Sequence, residues 1–143
     1  MDAEKYLDQV KKLDELIDAK LAERDRLNEL ATNISPKMPD GMPYSNTGTV
    51  SKTMENAVIN LIELERQIDK LIDQYIDYKQ QVVKTLEKLS ANEFGVLHRY
   101  YIRYMTLETI AEDMNYSIRQ ILRIKKKGLK NMEDVIEGGI EYV

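Results

Sequence analysis

The chain has no cysteine, a single histidine and only three prolines in 143 residues. Without cysteine there is no disulfide framework and no thiol chemistry. With His98 as the sole imidazole and no thiolate beside it, a zinc site cannot be assembled from the usual ligands. No hydrophobic run approaches the roughly twenty residues of a membrane span, and no signal-peptide pattern precedes the first charged residues, so neither membrane insertion nor export is expected. A glycine-rich phosphate loop, a nucleophile elbow and an H-E-x-x-H pair are all missing, so the expectation is a non-enzyme without a cofactor. Asp69, Asp73 and Asp77 form an acidic ladder at four-residue spacing, but Lys70 and Lys79 lie among them and a solvated helix flank accounts for the pattern.

What the chain does have is concentrated near its C-terminus. Residues 106–132 read T-L-E-T-I-A-E-D-M-N-Y-S-I-R-Q-I-L-R-I-K-K-K-G-L-K-N-M, two short amphipathic helices joined by a polar hinge. Thr106 is placed to cap the first helix. Leu107, Ile110, Ala111 and Met114 recur at helical spacing as its buried face, with the small Ala111 where two crossing helices must approach. Asn115 suits the left-handed exit of a sharp corner, Tyr116 can fill that corner, and Ser117 is a strong N-cap for the second helix. Ile121, Ile124 and Leu129 supply the inward face of that second helix. Ile118, Arg119, Leu122, Arg123 and Lys126 are left on its outer side. The layout is that of a helix-turn-helix, whose second helix lies in the major groove of DNA.

Charge agrees locally although not globally. The formal net charge is −4, which by itself argues against a generic nucleic-acid binder. From Ser117 to Lys130, however, Arg119, Arg123, Lys125, Lys126, Lys127 and Lys130 are accompanied by no acid, and upstream His98, Arg99 and Arg103 stand in an acid-free stretch. Phosphate positioning is expected of Lys125, Lys126, Lys127, Lys130 and Arg103, and base-edge or nearby phosphate contact of Ser117, Arg119 and Arg123.

A preceding helix completes a three-helix module. Ser90 and Glu93 have capping-box spacing, and Phe94, Val96, Leu97, Tyr100, Tyr101 and Tyr104 follow as core residues with the tyrosine hydroxyls towards the rim. The stretch from Leu89 to Met132 resembles region 4 of bacterial primary sigma factors, and H-R-Y-Y-I, I-A-E-D-M-N-Y-S-I-R-Q and R-I-K-K-K-G-L are similar to phage-encoded regulators of the ArpU and RinA type. That resemblance implies a transcriptional regulator of late phage genes acting on promoter DNA in the cytoplasm of a bacterial host, with host RNA polymerase as a further partner. Three positions depart from the sigma pattern. Ile118 and Leu122 stand where polar side chains are usual, which shifts base reading towards Arg119, Arg123 and apolar contact with thymine methyls. Gly128 replaces a common alanine, and a helix-interior glycine costs about 1 kcal/mol relative to alanine, so a bend or end of the helix is expected there.

The rest of the chain is of another kind. From Met54, apolar residues recur at Val58, Leu61, Leu64, Ile68, Leu71, Tyr75, Tyr78, Val82, Leu86 and Leu89, close to the heptad spacing of about 3.5 residues. A helix over 51–89 would run roughly 58 Å and needs a partner. Tyr6, Val10, Leu13, Ile17, Leu21, Leu27 and Leu30 make residues 1–30 an internal partner that folds back antiparallel. Ile62, Ile72, Ile76 and Val83 widen the apolar face beyond a two-stranded seam, so a homodimer or higher homo-oligomer through the second helix is expected. Between the helices, residues 32–50 hold all three prolines and read as a flexible loop, longer than the two to eight residues or so usual in such a connection. A functional version has Lys37, the methionines and Tyr44 dock on a partner such as RNA polymerase.

The expected fold class is therefore all-α, with a helical hairpin or coiled coil over 1–89, a helix-turn-helix domain over 90–137 whose helix stop is Gly138–Gly139, and a tail over 138–143. The function expected is DNA-binding transcriptional regulation. Two alternatives stand beside it: a DNA-packaging recognition subunit of the small-terminase kind, and a protein-interaction adaptor that does not touch DNA.

Overall fold

The computed structural model describes residues 2–33 and 47–141. Among these the fold is all-α, with five helices and no strand: α1 (Ala3–Asn33), α2 (Thr47–Leu86), α3 (Ala91–Leu97), α4 (Leu107–Met114) and α5 (Ile118–Glu141). A π-helical turn, His98–Ile102, continues α3. Residues 34–46, which include Lys37 and Tyr44 of the expected docking loop, lie outside the described residues. The two long helices reach further towards that segment than expected, α1 ending at Asn33 and α2 starting at Thr47.

The chain divides into two compact units, one of Met1–Asp14 with Gln74–Val143 and one of Glu15–Asp73. In the first, the opening turns of α1 pack on the closing turns of α2 and on the C-terminal helices. Ala3, Leu7, Val10, Val82, Leu86, Leu97, Tyr101, Ile102, Met132 and Ile136 form one buried cluster. Burial of a Leu, Ile or Met side chain contributes about 1.5–3 kcal/mol, so this cluster is the main source of cohesion. The Tyr78 hydroxyl donates to the Tyr6 carbonyl (2.7 Å), and burial, with Tyr6 adding to it, pushes the Tyr78 phenol up to about 12. A second cluster, Val96, Ile110, Ala111 and Ile121, holds α3, α4 and α5 together.

In the second unit the only buried apolar side chains among the described residues are Ile17, Leu64 and Ile68. Lys20 donates to Gln67 (3.3 Å) across the antiparallel pair, which gives its ammonium a polar partner there. Val58, expected in the seam, is 44% exposed, and its neighbours Ile59 and Ile62 are exposed further. Two helices have only one mutual face, and the remaining aliphatics of α2 are left outside it. Among the described residues no helix is long and apolar enough to cross a membrane.

Candidate nucleic-acid interface

The corner between α4 and α5 is built by local chemistry. The Thr106 hydroxyl accepts from the Thr109 N–H (3.2 Å) and starts α4. Asn115 ends it in the left-handed region, at φ 59° and ψ 42°. The Tyr116 N–H donates to the Ala111 carbonyl (2.9 Å) and the Asn115 N–H to that of Glu112 (3.4 Å), the two bonds of a Schellman exit. Ser117 then opens α5 with a reciprocal pair: its hydroxyl accepts from the Gln120 N–H (3.1 Å), and the Gln120 side-chain oxygen accepts from the Ser117 N–H (2.9 Å). That is a capping box, and S-I-R-Q spells it in the sequence. Tyr116 is half-buried at the corner and its hydroxyl donates to Asn92 (3.4 Å).

The module is braced from α3. Arg99 donates from Nε to Asp113 (2.7 Å) and from Nη1 to the Gly95 carbonyl (3.0 Å), which ties α3 to α4. Ser90 caps α3, but Glu93 does not complete the expected capping box. Its carboxylate is buried and accepts from the Asn131 amide, 3.0 Å to each oxygen, because α5 passes close enough to supply a better donor. Gly128 is the reason for that closeness. A Cβ there would lie 3.0 Å from Leu97 Cδ1 and 3.4 Å from Glu93 Cβ, so glycine permits the α3–α5 contact. α5 does not end at Gly128, since packing against Leu97 holds it helical through that position. Nor is there a stop at Gly138–Gly139, for α5 continues to Glu141.

The outer face of α5 carries the predicted residues. Arg119, Arg123, Lys126, Lys127 and Lys130 are exposed, as is Ser117, while Ile118 and Leu122 are 44% and 47% exposed beside a fully buried Ile121. None of the α5 cations is in an ion pair among the described residues, where Arg24–Asp25, Glu63–Arg66 and Arg99–Asp113 are examples of pairs formed elsewhere. Lys125 differs from its neighbours. It is half-buried, and its ammonium sits over the Tyr100 ring at 4.7 Å and the Tyr101 ring at 5.7 Å, a cation–π arrangement. Arg103 is exposed but stands off the helix, at the exit of the π-helical turn.

Several features gave no warning in the sequence. Tyr104 adopts a left-handed backbone (φ 57°) just before α4, and its hydroxyl donates to Asp14 of α1 (2.9 Å). Burial, that hydrogen bond and nearby Tyr75 hold its phenol well above the ordinary range. Tyr101 is buried, its hydroxyl has no hydrogen-bond partner among the described residues, and burial pushes its phenol up, with Glu4 and Asp8 adding to the effect. His98 stacks on Phe94 (centroids 5.1 Å apart) and does not stand free on the surface; burial first, then Arg103, Lys79 and Arg99, push its imidazole below the usual value. Among the described residues no three imidazole or carboxylate groups converge to hold a metal ion.

Residues 85–133 match the family model Sigma-70, region 4. The matched segment begins at the end of α2, covers α3, the π-helical turn and α4, and runs into α5 past Met132. That family is a helix-turn-helix DNA-binding domain, and the match suggests a DNA-binding regulatory function for the chain. No curated protein and no solved structure gives a significant match.

Proposed function

We propose that the protein is a phage-type transcriptional regulator, concerned with late-gene control, that lays α5 in the major groove of duplex DNA. The observation that carries this reading is the unpaired cationic face of α5, turned outward by a helix-turn-helix corner whose caps and core are complete. Lys126, Lys127, Lys130 and Arg103 neutralise phosphates and set the register, Lys125 adds to the field from its seat on Tyr100, and Ser117, Arg119 and Arg123 reach base edges. Residues 90–137 act as the reading domain, 1–89 as the oligomerisation region and 138–143 as a tail. Two copies, joined through the exposed aliphatics of α2, would place their recognition helices in successive major grooves about 34 Å apart or a multiple of that. Bacterial RNA polymerase is the second partner of this reading, and the bacterial cytoplasm its location.

The test is selection of a preferred duplex from a randomised pool by the full chain, followed by two substitutions. Arg123→Ala weakens binding to the selected duplex more than to random DNA. Lys126→Ala weakens both alike and flattens the salt slope by about one unit. Equal losses from both variants on both DNAs would refute the assigned roles, and a large ring in solution in place of a dimer or tetramer would favour the packaging reading.

A further inference from the structure

On the face of α5 that carries the cations, two side chains have no affinity for phosphate. Ile118 and Leu122 are 44% and 47% exposed, whereas Ile121 between them is fully buried, so both stand outside the core that covers Ile121. They lie one turn apart at the start of α5, with Arg119 and Arg123 following each of them. Lys125, three residues after Leu122 on the same flank, has its ammonium drawn onto the Tyr100 ring, which leaves the flank apolar. The occupant of this face is set by charge: Arg119, Arg123, Lys126, Lys127 and Lys130 follow along the adjoining side of α5 and no acid interrupts residues 115–132.

A duplex offers few apolar groups to such a face, and in the major groove the one presented by a base edge is the C5-methyl of thymine. Residues four apart on a helix are separated by about 6 Å along its axis, and successive bases on one strand by about 3.4 Å. We propose, on the basis of the DNA-reading role above, that Ile118 and Leu122 each contact a thymine C5-methyl, the two thymines standing about two base steps apart. The arginines that follow them fix the bases or phosphates on either side. The specificity of the site is thus part hydrogen-bonded and part apolar, and the apolar part can be removed from the DNA without disturbing any base pair.

The experiment uses the full chain and the duplex obtained by selection. Each thymine is replaced in turn by deoxyuridine, which deletes only the methyl group. Wild type loses about three- to fivefold in affinity at each of two positions, the loss expected for one buried methyl, and little elsewhere. Ile118→Ala becomes indifferent to uracil at one of these positions and Leu122→Ala at the other, both variants keeping wild-type helicity. A flat uracil scan by a chain that still selects a duplex would overturn the methyl contacts and leave the DNA-reading role standing. Failure to select any duplex would overturn that role. Undiminished uracil sensitivity in both variants, or a change in oligomeric state without a change in DNA binding, would assign the two side chains to a protein contact and refute the inference.

Discussion

Residues 118–127 and 128–137 of α5 follow one another on a single helix, yet they have different partners. In the first stretch the side chains that leave the core are Ile118, Arg119, Gln120, Leu122, Arg123, Lys126 and Lys127, and only Ile121 is fully buried. In the second, Gly128, Met132 and Ile136 are buried against α3 and against the ends of α1 and α2. The difference makes one helix an anchor at its C-terminal end and a solvated cationic face at its N-terminal end. The C-terminal turns are fixed by a core assembled from residues remote in sequence, so the N-terminal turns can remain solvated and charged without fraying.

The comparison can be broken most severely at the anchor. Leu7 is fully buried in the cluster that holds Met132, and Leu7→Ala is expected to destabilise the protein by about 3 kcal/mol, as large-to-small core changes do. Thermal or denaturant unfolding checks this, and an unchanged midpoint would mean that the N-terminal turns do not support α5. A smaller disturbance comes from filling the contact at the junction of the two stretches: Gly128→Val should cost about 2 kcal/mol by overpacking against Leu97, more than any gain in helix propensity offsets. At the reading end, Ser117→Ala removes one half of the capping box and should cost about 1 kcal/mol, with fraying of α5 visible as faster amide exchange at Gln120.

The smallest effect is one of pH. His98 is held below its ordinary value of about 6.5, so protonation favours the unfolded chain. Its contribution is fully present above pH 6.5 and is lost as pH falls through the lowered folded value. Stability should therefore decline as the pH falls from about 6.5 to the lowered folded value and level off below it, and His98→Gln should flatten the decline. Chemical denaturation at a series of pH values measures both curves.

The local features of the corner were legible because each is written within a few residues. Thr106, Asn115 and Ser117 act through hydrogen bonds to near neighbours, and the alternation of Leu107, Ile110, Ala111 and Met114 names its own buried face. The outward set of Ile118, Arg119, Leu122, Arg123 and Lys126 was readable for the same reason. Features made by chain segments far apart were not. Glu93 meets Asn131, Arg99 meets Asp113, Tyr104 meets Asp14, and Lys125 meets Tyr100, and no spacing rule joins those positions. Gly128 shows the same limit from the other side: helix propensity reads it as a weak point, whereas its missing side chain is what lets α3 and α5 touch. The heptad stripe on α2 predicted a long helix correctly. It could not say that Val58 would lie outside the seam, because a stripe specifies a face and not how far the partner helix covers it.

The central claim is that the cationic outer face of α5 binds duplex DNA with sequence preference. Its most direct test is equilibrium binding of the full chain to a duplex obtained by selection and to a scrambled duplex of equal length, at about 0.15 M salt. The account predicts a preference of about a thousandfold or more for the selected duplex, largely abolished in an Arg119→Ala, Arg123→Ala double variant that keeps its fold. Equal affinity for both duplexes, or binding that survives the double variant unchanged, would contradict it.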